Sequence, residues 1–211
     1  MSEVKRESKE TRVLVRVEPG TGEADVALAA VFPRHMVETL AKWSGLDLTV
    51  EAESLDGIEH HVVEDVAITL GRALRAAIDT GRVERVGHAV IPMDDALVEV
   101  AVDLVERPYY AGEVPDVMMD HFLRSLATEA GMTLHVHAIR GKDAHHVTEA
   151  AFKALGVALR RALAPRTERL STKGDVRFGG ATPRTARRHG TRTGTRATET
   201  HKGRSRKEGG T

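Results

Sequence analysis

The sequence predicts an α+β fold built twice over: two similar halves, each a small mixed or antiparallel sheet covered by helices on one face. Three observations predict it. Residues 60–78, HHVVEDVAITLGRALRAAI, align without a gap on residues 145–163, HHVTEAAFKALGVALRRAL, with ten of nineteen positions identical. Residues 35–50 align on 121–136, with His35 on His121, Leu40 on Leu126, Gly45 on Gly131, Leu48 on Leu134 and Val50 on Val136. Both copies pass from helical spacing to period-two alternation and back in the same order, the signature of a duplicated unit. The two offsets, 85 and 86, differ by one residue, which one indel between strand and helix explains.

Strands open each half. TRVLVRV at 11–17 alternates, a second strand follows at 24–31, and 84–91 with 96–105 lead toward the second unit. An amphipathic helix comes next, about 34–44 and 118–130, closed by Gly45 and Gly131 as helix C-terminal glycines. The strands LDLTVEA at 46–52 and MTLHVHAI at 132–139 follow. A turn then leads into a long helix at each His-His pair. Its apolar stripe is Val63, Val66, Ala67, Leu70 and Leu74 in the first copy and Val147, Ala151, Leu155 and Leu159 in the second. The halves are assigned to 1–92 and 93–175, followed by a tail at 176–211.

Composition narrows the function. There is no cysteine among the 211 residues, so disulfides, thiolate zinc sites and cysteine nucleophiles are excluded. No apolar run approaches the roughly 20 residues of a membrane helix, and MSEVKRESKETRV lacks the apolar core of a secretory signal. A soluble cytoplasmic protein is the expectation. The zero net charge is a cancellation. Residues 171–211 carry 11 Lys/Arg against 3 Asp/Glu, and the rest of the chain carries 20 against 28. The tail is rich in Gly and Thr, has Phe178 as its one aromatic, and cannot bury enough apolar surface to offset chain entropy, so it reads as a disordered basic extension. A nucleic-acid-binding arm is the alternative for that charge, but no aromatics interleave with the arginines to stack bases.

The His-His pairs carry the chemistry. Each long helix begins H-H-x-x-E: His60, His61, Glu64 and His145, His146, Glu149. Positions i and i+4 share a helix face, so the first His and the Glu can chelate one ion. The second His lies about 100° further round and can reach another. Adding His35 and His135 gives two sites of three His and one Glu each. Nitrogen and oxygen donors without sulfur suit Mn²⁺, Fe²⁺ or Zn²⁺. His121, although aligned with His35, and His137 are left outside the site, while His88, His189 and His201 read as surface residues.

The motifs resemble those of the imidazoleglycerol-phosphate dehydratase family. EHHVVED at 59–65 with ITLGRAL at 68–74 is similar to its first metal motif, and AHHVTEAAFKALGVALRRA at 144–162 to its second. KRESKET, FPRHM, GHAVIPMDDAL, VDLVERPYY, TLHVHAIRG and STKG add matches in order across residues 5–175. The resemblance implies a ribosomal S5 domain 2-like fold, a homo-oligomer of 24 subunits with sites at subunit interfaces, and two Mn²⁺ per active site. It implies a carbon–oxygen lyase that removes water from imidazole glycerol phosphate to give imidazole acetol phosphate in histidine biosynthesis. Metal on the ring nitrogens would stabilise an imidazolate once the neighbouring carbon loses its proton. The implied ligands are His35, His60, His61, Glu64, His135, His145, His146 and Glu149. Glu10 and Asp94 are the implied proton-transfer carboxylates. Arg85, Arg107, Lys153, Ser171 and Lys173 are the implied phosphate-binding residues.

The sequence departs from the family pattern at several positions. Arg34 stands where Asp is usual, Thr39 for Gln, Trp43 for His, Val105–Glu106 for Ser-Gly and Asp143 for Asn; the usual Gly-Asp before the first His-His becomes Ser54–Leu55 or a shifted Asp56. These departures leave a metal-binding paralogue with lost or altered catalysis as the alternative reading, and a nucleic-acid-binding assembly as a second.

Overall fold

The computed structural model describes residues 1–167. The tail at 176–211, and with it Ser171 and Lys173, lies outside the described residues. β1 (Ser2–Glu7), β2 (Thr11–Pro19), β3 (Ala24–Ala27), α1 (Val31–Ser44), β4 (Leu46–Ser54) and α2 (Glu59–Ala77) form the first half. β5 (Val86–Met93), β6 (Ala96–Asp103), β7 (Tyr109–Ala111), α3 (Val117–Glu129), β8 (Thr133–Arg140) and α4 (Ala144–Ala162) repeat that order. The sheets run β1-β2-β4-β3 and β5-β6-β8-β7. In each, three strands are antiparallel and the short edge strand is parallel to its neighbour.

The duplicated two-half α+β fold is as the sequence predicts, with two additions. β1 and β7 complete the sheets, and neither strand is among those read from the sequence. β1 is a charged edge strand whose inward face offers Ser2, Val4 and Arg6, too little apolar surface to mark it. β7 has three residues and a weak pattern. β5 pairs with β6, so the division between the two sheets falls in the 78–85 connection, ahead of the 92/93 boundary, which runs along the end of β5.

α2 packs on β1, β2 and β4, and α4 on β5, β6 and β8; α1 then crosses α4, and α3 crosses α2, so helices of one half bind helices of the other. Both long-helix stripes are buried, from Val63 to Leu74 and from Val147 to Leu159. Each crossing packs tightly against a glycine. A Cβ on Gly156 would lie 2.6 Å from Trp43 Cβ and 3.0 Å from the Ser44 nitrogen. One on Gly71 would lie 2.8 Å from Glu129 Cβ and 2.9 Å from the Ala130 nitrogen. These glycines are repeat counterparts. They let α1 and α3 reach the opposite half closely enough to carry His35 and His121 to its long helix.

Candidate metal centre

The crossings assemble two equivalent groups, each with members from both halves. In the first, His35 from the opening turn of α1 meets His145 and Glu149 of α4: the His35 and His145 Nε2 atoms lie 3.4 and 3.0 Å from Glu149 Oε2. In the second, His121 of α3 meets His60 and Glu64 of α2, with His121 Nε2 3.1 Å from Glu64 Oε1 and His60 Nε2 3.7 Å from Glu64 Oε2. In each group, one ligand atom per residue lies within 4.8 Å of the others.

The second histidine of each pair points elsewhere, as helical geometry requires. His61 Nδ1 is 2.6 Å from Asp56 Oδ2 and 3.9 Å from Glu10 Oε2. His146 Nδ1 is 2.8 Å from Asp95 Oδ1, and its Nε2 is 3.4 Å from Asp94 Oδ2. A carboxylate accepting from Nδ1–H fixes the tautomer and leaves Nε2 as the metal-facing nitrogen. The hydrogen bond that His61 donates to Asp56 raises the His61 pKa above its ordinary value, and the one His146 donates to Asp95 does the same for His146. In return, His146 and the Lys142 backbone lower the Asp95 carboxyl to about 2. Burial pushes the Glu149 carboxyl up, but Lys153, 2.9 Å away, together with His35, outweighs it, and the net direction is down.

Local structure explains these placements. Asp143 caps α4, accepting from the His145 and His146 nitrogens at 2.8 and 3.3 Å. α2 has no side-chain cap at Ile58; Asp56 instead accepts from the Ile58 nitrogen at 2.9 Å while holding His61. Glu10 and Asp94 occupy the equivalent β1–β2 and β5–β6 turns. Ser8 Oγ accepts from the Glu10 nitrogen, while Asp94 adopts a left-handed φ of 47°. Arg6 and Thr11 bind buried Asp65, tying the first hairpin to α2 beside Glu64.

The structure brings five of the eight sequence-derived ligands, His35, His60, Glu64, His145 and Glu149, into these groups, while His61 and His146 face Asp56 and Asp95. His135 is elsewhere, on β8 with its ring 5.6 Å from that of Tyr109. His121, left outside by sequence reasoning, stands beside His60 and Glu64; its repeat alignment with His35 was the available signal. Asp95 and the orienting role of Asp56 were also missed. Arg85 and Arg107 are not near either group. The Arg85 nitrogen bonds Ala162 at the far end of α4, about 25 Å from His145 at 1.5 Å per helical residue. Arg107 O accepts from Thr133 at the start of β8. Among the departures, Arg34 is 3.8 Å from Glu38, Thr39 is buried, and Trp43 lies under the Lys153 ammonium. Glu106 takes a left-handed φ of 59° and pairs with Arg75.

The donor set fits a divalent ion of the Mn²⁺, Fe²⁺ or Zn²⁺ kind. His121 Nε2 is enclosed, and its short approach to Glu64 lacks hydrogen-bond alignment, as suits a nitrogen directed at a cation between them. An internally duplicated α+β fold with two such His₂Glu groups across its halves defines the class, a divalent-metal enzyme scaffold.

A family model described as imidazoleglycerol-phosphate dehydratase matches residues 29–159. The chain is 48% identical over 182 residues to the imidazoleglycerol-phosphate dehydratase of Pyrobaculum aerophilum, covering 80% of this chain and 96% of that protein. It is 45% identical over 187 residues to that of Solidesulfovibrio magneticus, covering 81% and 95%. The crystal structure of the Pyrococcus furiosus protein matches with a TM-score of 0.72 at 35% identity, covering 82% of this chain and all 100% of that one. The Staphylococcus aureus structure matches with a TM-score of 0.68 at 30% identity, covering 78% and 99%. The chain belongs to the imidazoleglycerol-phosphate dehydratase family.

Proposed function

We propose that this chain removes water from imidazole glycerol phosphate, giving imidazole acetol phosphate for histidine biosynthesis in the cytoplasm, with two Mn²⁺ ions per active site. Family membership supports the reaction. The observation that carries the metal reading is the pair of equivalent His₂Glu groups, His35–His145–Glu149 and His60–His121–Glu64.

Each group has two imidazoles and one carboxylate, one nitrogen short of three His and one Glu. His61 and His146 supply the missing nitrogens from a neighbouring copy, since within their own chain they face other residues. Val31 and Val117, 68% and 82% exposed, lie one turn ahead of His35 and His121 and are apolar surface for that neighbour to cover. Arg85, at the far end of α4 from His145, and Arg107, beside Thr133 at the start of β8, reach a substrate phosphate only from another copy. These features support a homo-oligomer, of 24 subunits on the family resemblance, with sites formed between copies. No helix among the described residues is long and apolar enough to cross a membrane.

Bound ions would polarise the substrate imidazole and stabilise the charge left when its neighbouring carbon is deprotonated. Glu10 and Asp94 stand beside His61 and His146 and travel with them to the neighbouring group. There a carboxylate takes the carbon-bound proton and returns a proton to the departing hydroxyl, which leaves as water. Lys153, Arg85 and Arg107 hold the phosphate, with Ser171 and Lys173 joining them from outside the described residues. Purified protein supplied with Mn²⁺ and imidazole glycerol phosphate is expected to yield imidazole acetol phosphate. Stoichiometric metal binding with no product would leave the metal-binding paralogue in its place.

Acidity is expected to oppose metal binding. The raised His61 and His146 pKa values mean that protons hold these imidazoles at higher pH than usual, so an ion must displace them. Apparent Mn²⁺ affinity is expected to fall as the pH drops through the raised imidazole pKa values, where protons compete with the ion. Mn²⁺ titration followed by electron paramagnetic resonance checks this, and a pH-independent affinity contradicts it.

A further inference from the structure

We infer that the two metal groups of one chain are unequal, because Lys153 occupies one oxygen of Glu149 and makes the His35–His145–Glu149 group the weaker of the two. This rests on the metal reading above and concerns a difference between halves that are otherwise equivalent. Glu64 turns Oε1 to His121 and Oε2 to His60, so both oxygens face ligand nitrogens. Glu149 turns only Oε2 to His35 and His145; its Oε1 is 2.9 Å from Lys153 Nζ.

The lysine is held in place. Its ammonium lies 5.8 Å from the centre of the Trp43 ring and 3.4 Å from Met93 Sδ. The Glu149 side chain is 9% exposed and that of Lys153 20%, against 35% for Glu64. Burial strengthens the ion pair and leaves less of the carboxylate charge for an incoming cation. In the other half the position four residues after Glu64 is Ile68, the repeat counterpart of Lys153. The counterpart of Trp43 is Glu129, which pairs with Arg72 at 2.7 Å. A bound cation and a lysine therefore compete for one carboxylate in one group only.

Equilibrium dialysis of the full-length protein against chelator-buffered Mn²⁺ tests this. The first ion per chain is expected to enter the Glu64 group, and the second to need on the order of tenfold more free Mn²⁺. Lys153→Met is expected to bring the second step within about threefold of the first and leave the first unmoved. Ile68→Lys, which installs the competing cation in the other half, is expected to weaken the first step. Two ions binding in one indistinguishable step, or a second step unmoved by Lys153→Met, overturns the inference and leaves the metal reading standing. Fewer than two ions per chain overturns both.

Discussion

His121→Ala is expected to lose one of the two bound ions per chain and lower kcat/KM by roughly 10³-fold. An ion that stabilises developing charge contributes several kcal/mol to the barrier, and about 4 kcal/mol corresponds to that factor. His121 Nε2 faces Glu64 at 3.1 Å, so its loss leaves His60 and Glu64 as the only in-chain ligands of that group. His35→Ala is expected to do the same to the equivalent group. His135→Ala is expected to retain both ions, because His135 lies against Tyr109 on β8. Elemental analysis of the three variants beside steady-state kinetics checks the set. Loss of an ion from His135→Ala with retention in His121→Ala would reverse the assignment.

Gly156→Val is expected to cost about 3 kcal/mol of stability and to empty the His35 group in the fraction that stays folded. A Cβ there already meets Trp43 Cβ at 2.6 Å, and both contacts involve atoms fixed to the α1 backbone. Overpacking of that kind forces backbone movement, and the element that moves is the helix that delivers His35. Gly71→Val is expected to act equally on α3 and the His121 group, since its Cβ meets Glu129 Cβ and the Ala130 nitrogen. Denaturant midpoints with metal content measure both effects. Unchanged midpoints would mean that the crossings are looser than described.

These two predictions mark where the sequence was legible. The H-H-x-x-E spacing is local, and so is the duplication, so both could be read without a structure. So could Gly45 and Gly131, which take the left-handed φ values of 74° and 66° expected at helix ends. The partner of His60 and Glu64 could not, because it is set by how α3 crosses α2 at Gly71, a contact between halves that spacing along one helix does not encode. His135 completes a three-His set only on paper, because its place on β8 sets its ring against Tyr109. Asp56 was visible only as a departure from the usual Gly-Asp. Its hydrogen bonds to the Ile58 nitrogen and His61 depend on the turn that follows β4. β1 was hidden because its exposed positions, Glu3, Lys5 and Glu7, give it the composition of a loop.

The most direct test is an anomalous-scattering map of Mn²⁺-loaded crystals of the full-length protein. Two peaks per chain are expected, one within coordination reach of His35, His145 and Glu149 and one within reach of His60, His121 and Glu64, each completed by His61 or His146 of a neighbouring copy. A peak at His135, or peaks formed by His61 and His146 with Asp56 and Asp95 and none at the two His₂Glu groups, would contradict that expectation.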